Sequence, residues 1–457
     1  MQFKKMLLAT FALMSAMVWA PQAHAIPAFA RQTGMACSAC HYQHFPVLNS
    51  FGRTFKASGF TMVGSEALVE GEGLSIPSVL NLAFVTNLAY TKTNGINSAP
   101  TTPAATASTK LDNTSNQGQF QMTQYSLFMG GRVAENIGFE GEVGLSGGAT
   151  LASVKLPFTF DEGPGKLGIV PFTTAALGPQ QGFEPLSDGA TPVHLFNQQD
   201  SGVIGADEYI MGGANGINGM PASGAAMYYY TDQGFVNFTK WEIDSINGNG
   251  AGQSPGAAGG GSPTSNYLRA AWTPNVAGFD TAIGFQLISG VSSTTSGAFT
   301  EGTGAFNYGT FKTRMSEVDG QMLGDVGGMP LTLIASYANA PGSDANYNNL
   351  NGGENAYNAG LSTRSSFNVG AELGVIPKVT LQLGLRRADS GLYVPGTSAG
   401  NATDNAILIG ATYSLALNVR AEFTYSMYSG DMYNSAAQQM PGYTGNRLAT
   451  ANLWMGF

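Results

Sequence analysis

The chain has 457 residues and a formal net charge of −9, from 20 Lys and Arg against 29 Asp and Glu, a balance that argues against nucleic acid as a partner. Charged residues make up only 11% of it, where a typical soluble domain carries ~25%. With 62 glycines and no long apolar helix in the sequence, the composition disfavours both ordinary soluble domains and helical membrane proteins, and points to an all-β protein whose outer face meets lipid.

The N-terminus carries Lys4 and Lys5, an apolar run from Met6 to Ala20, and the small-residue ending Ala23-His24-Ala25. This is the pattern of a secretory signal cleaved after Ala25. A membrane anchor is the rival reading, but the run is shorter than the ~20 residues a spanning helix needs. Removing residues 1–25 takes away two lysines and no acid, so the mature chain is more acidic still.

Cys37-Ser38-Ala39-Cys40-His41 follows, and it contains the only two cysteines of the protein. Two thiols three positions apart, with a histidine directly after, can take thioether bonds from one haem while the imidazole coordinates its iron. A surface disulfide or half of a zinc site is the alternative, yet no second cysteine pair exists. The motif therefore predicts one covalent haem c, with His41 as proximal ligand and redox-active centre. Residues 26–75 form the module around it. Phe29, Pro27, Pro46, Leu48, Phe51, Phe55 and Phe60 are expected to shield a porphyrin face, and Arg31, Arg53 and Lys56 to pair with its propionates. About 50 residues bury too little surface to stand alone, so the module should pack on or in a neighbouring body. The second axial ligand stays open: His44 lies too close to His41 in sequence to reach the far face easily, His194 is distant, and Met62, Met122 and Met129 are among 18 methionines.

From residue 76 to 457 the sequence becomes a series of segments with period-two alternation. Strands are expected near 78–91, 119–134, 137–147, 221–231, 234–245, 264–274, 278–290, 308–320, 329–340, 363–374, 378–389, 404–416, 418–429 and 447–457. Short connections such as Glu135-Asn136 and Asp232-Gln233-Gly234 alternate with long ones such as 92–118, 148–220 and 430–446. That asymmetry describes a transmembrane outer-membrane β-barrel of antiparallel strands, with short turns toward the periplasm. Fourteen strands are countable directly. The 148–220 connection is too long for a simple loop and holds strand-like pieces at Leu151–Phe160 and Glu208–Met211, so one further hairpin, giving sixteen, is expected there; a loop folded into the pore is the alternative. The pleat assigns Phe423, Tyr425 and Met427 to lipid and Glu422, Thr424 and Ser426 to the lumen. Phe457 resembles the terminal signal read by the barrel-assembly machinery.

The lumen-facing charges are read as Arg132, Glu140, Glu142, Lys240, Glu242, Asp244, Arg269, Lys312, Arg314, Glu317, Asp319, Glu372, Arg386, Arg420 and Glu422. Cross-lumen structural pairs are the favoured reading; a weak carboxylate path for Fe(II) is the alternative.

Around the haem motif, Pro27, Phe29-Ala30-Arg31-Gln32-Thr33-Gly34, Cys37, Cys40-His41, Pro46, Leu48, Phe51-Gly52-Arg53 and Phe55-Lys56 resemble the fused monohaem cytochrome-porin family of iron-oxidising bacteria. The resemblance covers the first fifty or so mature residues. It implies a sixteen-stranded barrel, Fe(II) as electron donor and a periplasmic c-type cytochrome as acceptor. A diffusion porin with a structural haem plug, or a conduit for another extracellular donor or acceptor, are the competing functions.

Overall fold

The structure, a computed structural model, describes residues 28–64, 66–72, 74–94, 118–145, 150–175, 177–187, 205–211, 221–243, 264–294, 309–344, 353–358, 360–391, 402–433 and 446–457. The signal segment 1–25, His194 and Asp244 lie outside the described residues.

The body is a closed antiparallel barrel. Its strands are β1 (Leu82–Thr93), β2 (Gln119–Ala134), β3 (Ile137–Gly144), β4 (Thr150–Lys155, continued by Phe158–Glu162), β5 (Gly165–Thr174), β6 (Ala222–Thr231), β7 (Gly234–Glu242) and β8 (Ser265–Trp272, with Asn275–Val276). They continue as β9 (Phe279–Ser289), β10 (Met315–Val326), β11 (Met329–Ala340), β12 (Arg364–Ile376), β13 (Val379–Ser390), β14 (Asn405–Ala416), β15 (Val419–Ser429) and β16 (Arg447–Gly456). The wall closes where Leu448 of β16 pairs with Thr93 of β1 and Gly456 with Val85. Sixteen strands result, and the extra hairpin is β4–β5, with Phe158 opposite Ile169.

Period-two sequence makes two chemically different barrel faces. On β15, Glu422, Thr424 and Ser426 are 4%, 1% and 1% exposed, while Phe423 between them is 53% exposed. Leu381, Leu383 and Leu385 of β13 and Ile407 and Ile409 of β14 continue the exposed apolar band. Such a continuous outer surface suits a bilayer rather than water. The short turns need backbone that most residues avoid: between β10 and β11, Gly327 and Gly328 have φ of 61° and 81°, the left-handed pair of a tight hairpin turn.

Three readings from sequence are corrected. The strand expected near 308–320 is displaced to Met315–Val326, while Gly309–Lys312 forms a small separate hairpin with Val291–Thr294; Asp319, Gly320 and Asp325 weakened the apolar alternation there. Glu208–Met211 is not a strand but part of the short helix Ala206–Met211. Lys240 is exposed on the outer face, between inward-facing Thr239 and Trp241 that are both 0% exposed. Lys312 pairs with Asp344 near the long loops, and Arg314 is exposed.

The lumen is filled from both ends. At the short-turn end sit helix α1 (Ala28–Thr33), a single helical turn at Cys37–Ala39 and helix α2 (Ser50–Ala57). Toward the long loops, helix α3 (Ala206–Met211) packs Tyr209 and Ile210 against Trp241, Tyr267, Ile288 and Met315 of the wall. Between them the segment 177–187 lies inside, so the alternative reading of the 148–220 connection, a loop folded into the pore, holds alongside the expected hairpin. Its Glu184 accepts from Nε of the fully buried Arg269 at 2.9 Å, and Asp319 grips the same guanidinium from β10.

The two faces predict opposite tolerance. Leu383→Arg on the lipid side should cost about 2–4 kcal/mol in urea unfolding from bilayers, whereas Lys240→Leu should leave stability unchanged or raise it.

Candidate functional site

The N-terminal segment is local structure pinned by side chains. After α1, residues Cys37–Ala39 make one tight turn, and the amides of Cys40 and His41 both donate to the Cys37 carbonyl, at 3.1 and 2.9 Å. That turn sets both thiols and the imidazole on one short arc. Asn49 caps α2, its Oδ1 accepting from the Gly52 amide at 2.9 Å. Its Nδ2 donates back to the Ala39 carbonyl at 3.0 Å, joining the helix to the cysteine turn. Gly52 permits the close approach: a Cβ there would lie 2.3 Å from the Cys40 carbonyl oxygen.

Cys37, Cys40 and His41 face a cavity of about 280 Å³ between this segment and the barrel wall. Phe29, Leu48, Phe55 and Phe60 line it, as the sequence predicts. Phe29 stacks on Phe60 at 4.7 Å between centroids, with Phe55 edge-on at 5.3 Å. Phe45 lies between the His41 ring, at 5.6 Å, and Trp454 of β16, at 5.3 Å. Phe51 and Pro46 are not among the lining residues.

Both cysteines are free thiols, and burial pushes their pKa values up, which keeps them protonated at neutral pH. Burial lowers His41 to about 4, so the imidazole is neutral and retains a lone pair for a metal. The Pro46 and Val47 carbonyls face the ring, but neither meets hydrogen-bond geometry with Nδ1, which is buried without a partner. Gln181 from the crossing segment and Arg420 from β15 also line the cavity with buried donor atoms that lack partners. Thiols and a neutral imidazole on one arc, aromatic walls and unsatisfied inward-facing donors together fit a covalently held haem. A bare metal ion fits less well, because no group of three or more His, Cys, Asp or Glu placed to hold one occurs among the described residues.

The basic residues expected at the propionates are placed differently. Arg31 donates to the Leu82 carbonyl at the start of β1. Arg53 pairs with Asp280 of β9 at 2.7 Å. Neither is among the lining residues; Lys56 is, but its Nζ donates to the Ser187 carbonyl at 2.9 Å. All three hold the segment in the barrel. His44 lines the cavity too, with its Nε2 meeting Glu372 of β12 at 3.1 Å. Met122 is 52% exposed on the outside of the barrel. Met62 is outside the lining, its carbonyl accepting from Gln32 at 2.6 Å. Met129 sits beside the cavity, but the pleat turns its side chain outward between inward-facing Phe128 and Gly130. Sequence reasoning missed Phe45, Phe128, Trp454 and Gln181 as lining residues, and placed Arg420 in the lumen without tying it to the site.

Fold and site together describe an outer-membrane-type barrel of porin architecture whose N-terminal segment is seated in the lumen. No protein-family model matches the chain, and no curated protein matches it in sequence. Among solved structures, the high-pH structure of Pseudomonas putida OprB is 13% identical, covers 83% of this chain and 94% of its own, and superposes with a TM-score of 0.50. The outer membrane protein OmpT of Vibrio cholerae, in its in-vitro folded trimer form, is 11% identical over 83% of this chain and 99% of its own, with a TM-score of 0.47. The outer membrane channel DcaP of Acinetobacter baumannii is 12% identical over 86% and 100%, with a TM-score of 0.45. At such identities the likeness concerns the fold alone.

Gly52→Ala tests the packing of the cysteine turn. Its Cβ would also lie 2.9 Å from Leu48 Cδ2, so overpacking should cost about 1–3 kcal/mol. Limited proteolysis should then cut within residues 28–64 faster than in the wild-type protein, with the barrel itself still resistant.

Proposed function

We propose that this chain is an outer-membrane electron-transfer protein that oxidises Fe(II) arriving from outside and hands the electron to a c-type cytochrome in the periplasm. The observation that carries the reading is the convergence of Cys37, Cys40 and His41 on one aromatic-walled cavity inside a barrel. A haem bound through Cys37 and Cys40 would supply a one-electron site. The overall change is balanced: each Fe(II) becomes Fe(III), and each electron reduces one oxidised carrier.

The chain's own residues do the remaining work. Cys37 and Cys40 would hold the group covalently, and the neutral imidazole of His41 would coordinate its iron. Phe29, Phe45, Phe55 and Trp454 keep water from the buried faces, which holds the local dielectric low and favours a well-defined potential. Glu140 and Glu142 of β3 line the same cavity, Glu140 pairing with Lys155 at 2.6 Å. That pairing fits the reading of the lumenal charges as structural pairs rather than as a path for the cation. The segment lies at the short-turn end, the periplasmic end of an outer-membrane barrel, where a soluble carrier can dock.

A diffusion porin is the second reading, favoured by the likeness of the barrel to channel-forming proteins. The filling of the lumen by residues 28–64, 177–187 and α3 counts against it. Planar-bilayer recording separates the two, since a diffusion porin gives steady solute-dependent conductance.

The direct test mixes oxidised, anaerobic protein with Fe(II) at neutral pH and follows the haem absorption. Conversion to the reduced spectrum is expected, and His41→Ala should abolish it. Absence of reduction in the wild-type protein would sink the Fe(II) assignment. Cys37→Ala with Cys40→Ala should remove all haem that survives denaturing electrophoresis.

A further inference from the structure

We propose that Arg420 is the anchor for a haem propionate, a carboxylate site supplied by the barrel rather than by the N-terminal segment. This inference rests on the haem reading above.

Arg420 lines the cavity from β15 and is 4% exposed. Only one of its nitrogens is used. Nη1 donates to the Phe45 carbonyl at 2.7 Å and to Nδ1 of His44. His44 Nδ1 also lies 2.6 Å from the Phe45 carbonyl, and its Nε2 meets Glu372 at 3.1 Å. Nε and Nη2 are buried with no hydrogen-bond partner, and no carboxylate among the described residues forms an ion pair with Arg420.

A buried guanidinium edge left open in this way is strongly unfavourable. It is also the edge that grips a carboxylate through two parallel hydrogen bonds. Three other buried arginines each have a carboxylate: Arg53 has Asp280, Arg269 has Glu184 and Asp319, and Arg386 has Asp404; Arg364 instead spends both terminal nitrogens on the Ser390 and Tyr209 carbonyls. Arg420 lacks that anion and faces the cavity where a porphyrin would bring two. Arg31, Arg53 and Lys56 are each engaged with the barrel or the crossing segment, so they do not compete for the role. Because Arg420 also holds His44 and Phe45, three and four residues beyond His41, the same side chain fixes the loop that follows His41 to the wall.

The experiment uses haem-loaded protein purified in detergent, with Arg420→Gln and Arg420→Lys. Two readouts apply: the propionate-bending band in resonance Raman spectra, and the midpoint potential from spectroelectrochemical titration. In Arg420→Gln the band should shift and the potential should fall, because an uncompensated carboxylate favours the oxidised iron. Arg420→Lys keeps the charge but loses the two-point grip, so it should restore much of the potential and leave the band shifted. An unchanged band and potential in Arg420→Gln would overturn the proposal. Should Arg420→Gln not reach the heat-modifiable folded barrel, the band in Arg420→Lys decides, and no shift there overturns it equally. Wild-type protein without thioether-bound haem would instead overturn the haem reading, and that outcome is visible before any variant is made.

Discussion

Gln32 holds the two parts of the molecule together, and the cavity depends on it. This side chain has no exposed surface. Its Nε2 donates to the Phe60 and Met62 carbonyls, both at 2.6 Å, and its Oε1 accepts from the Arg132 amide at 3.2 Å and from Asn81 at 3.3 Å. Those four bonds exhaust what one carboxamide can make. They tie α1 to the chain beyond α2, to β2 and to the lead-in of β1, and Gly131 leaves the room that Gln32 Oε1 occupies. A segment of this length cannot bury enough surface alone, so its polar atoms find partners on the barrel instead: Tyr42 on Gly324, Gln43 on Thr332 and Arg53 on Asp280. The cavity thus exists only between the two parts and has no counterpart in either one alone.

The barrel was legible in the sequence because its determinants are local. Alternation along a strand decides which face meets lipid, and turn length decides which end it joins, as β15 and the Gly327-Gly328 turn show. The failures occur where that local code is interrupted. Leu156-Pro157 splits β4, and Pro171 lies within β5, so the hairpin expected in the 148–220 connection is signalled there by length and by the Leu151–Phe160 piece rather than by clean alternation. Lys240 broke the assumption that charge marks the lumen: near the long-loop end of β7, a lysine can reach polar surroundings from the outer face. The Glu208–Met211 piece reads as a strand by hydrophobicity alone. Its actual helix is stabilised by lumen contacts, with the Tyr209 ring beneath the Arg364 and Arg386 guanidiniums at 4.4 and 4.9 Å.

The site divides in the same way. Cys37, Cys40 and His41 lie within five consecutive residues at one turn, so their chemistry is readable from spacing. Phe29 and Phe55 come from the helices flanking that turn, and Leu48 and Phe60 from the chain just before and just after α2. Arg420 and Trp454 come from nearly four hundred residues further on, and nothing in their own neighbourhood marks them. Only the seating of the N-terminal segment brings β15 and β16 against it. Arg31, Arg53 and Lys56 were assigned to the cavity by type and proximity in sequence, but helical geometry directs them toward the wall and the crossing segment. Charge near a motif in sequence is therefore a poor guide to charge at the site when the segment is clasped by another body.

Filling the lumen has opposite consequences for the two functions that a barrel of this kind can serve. A diffusion channel needs an aqueous path, and here Arg269 is sealed between Glu184 and Asp319, with α3 and its aromatic neighbours on the long-loop side. Arg269 is paired there with Glu184 of the crossing segment and Asp319 of β10, so withdrawing that segment alone would leave a buried guanidinium short of one partner at a cost of several kcal/mol. Electron transfer needs no aqueous path through the wall. For the proposed reaction the filled lumen is an advantage, because an electron can pass to a carrier at the short-turn end while the iron that gave it does not. Oxidised iron, which is insoluble at neutral pH, would then remain on the outer side of the barrel.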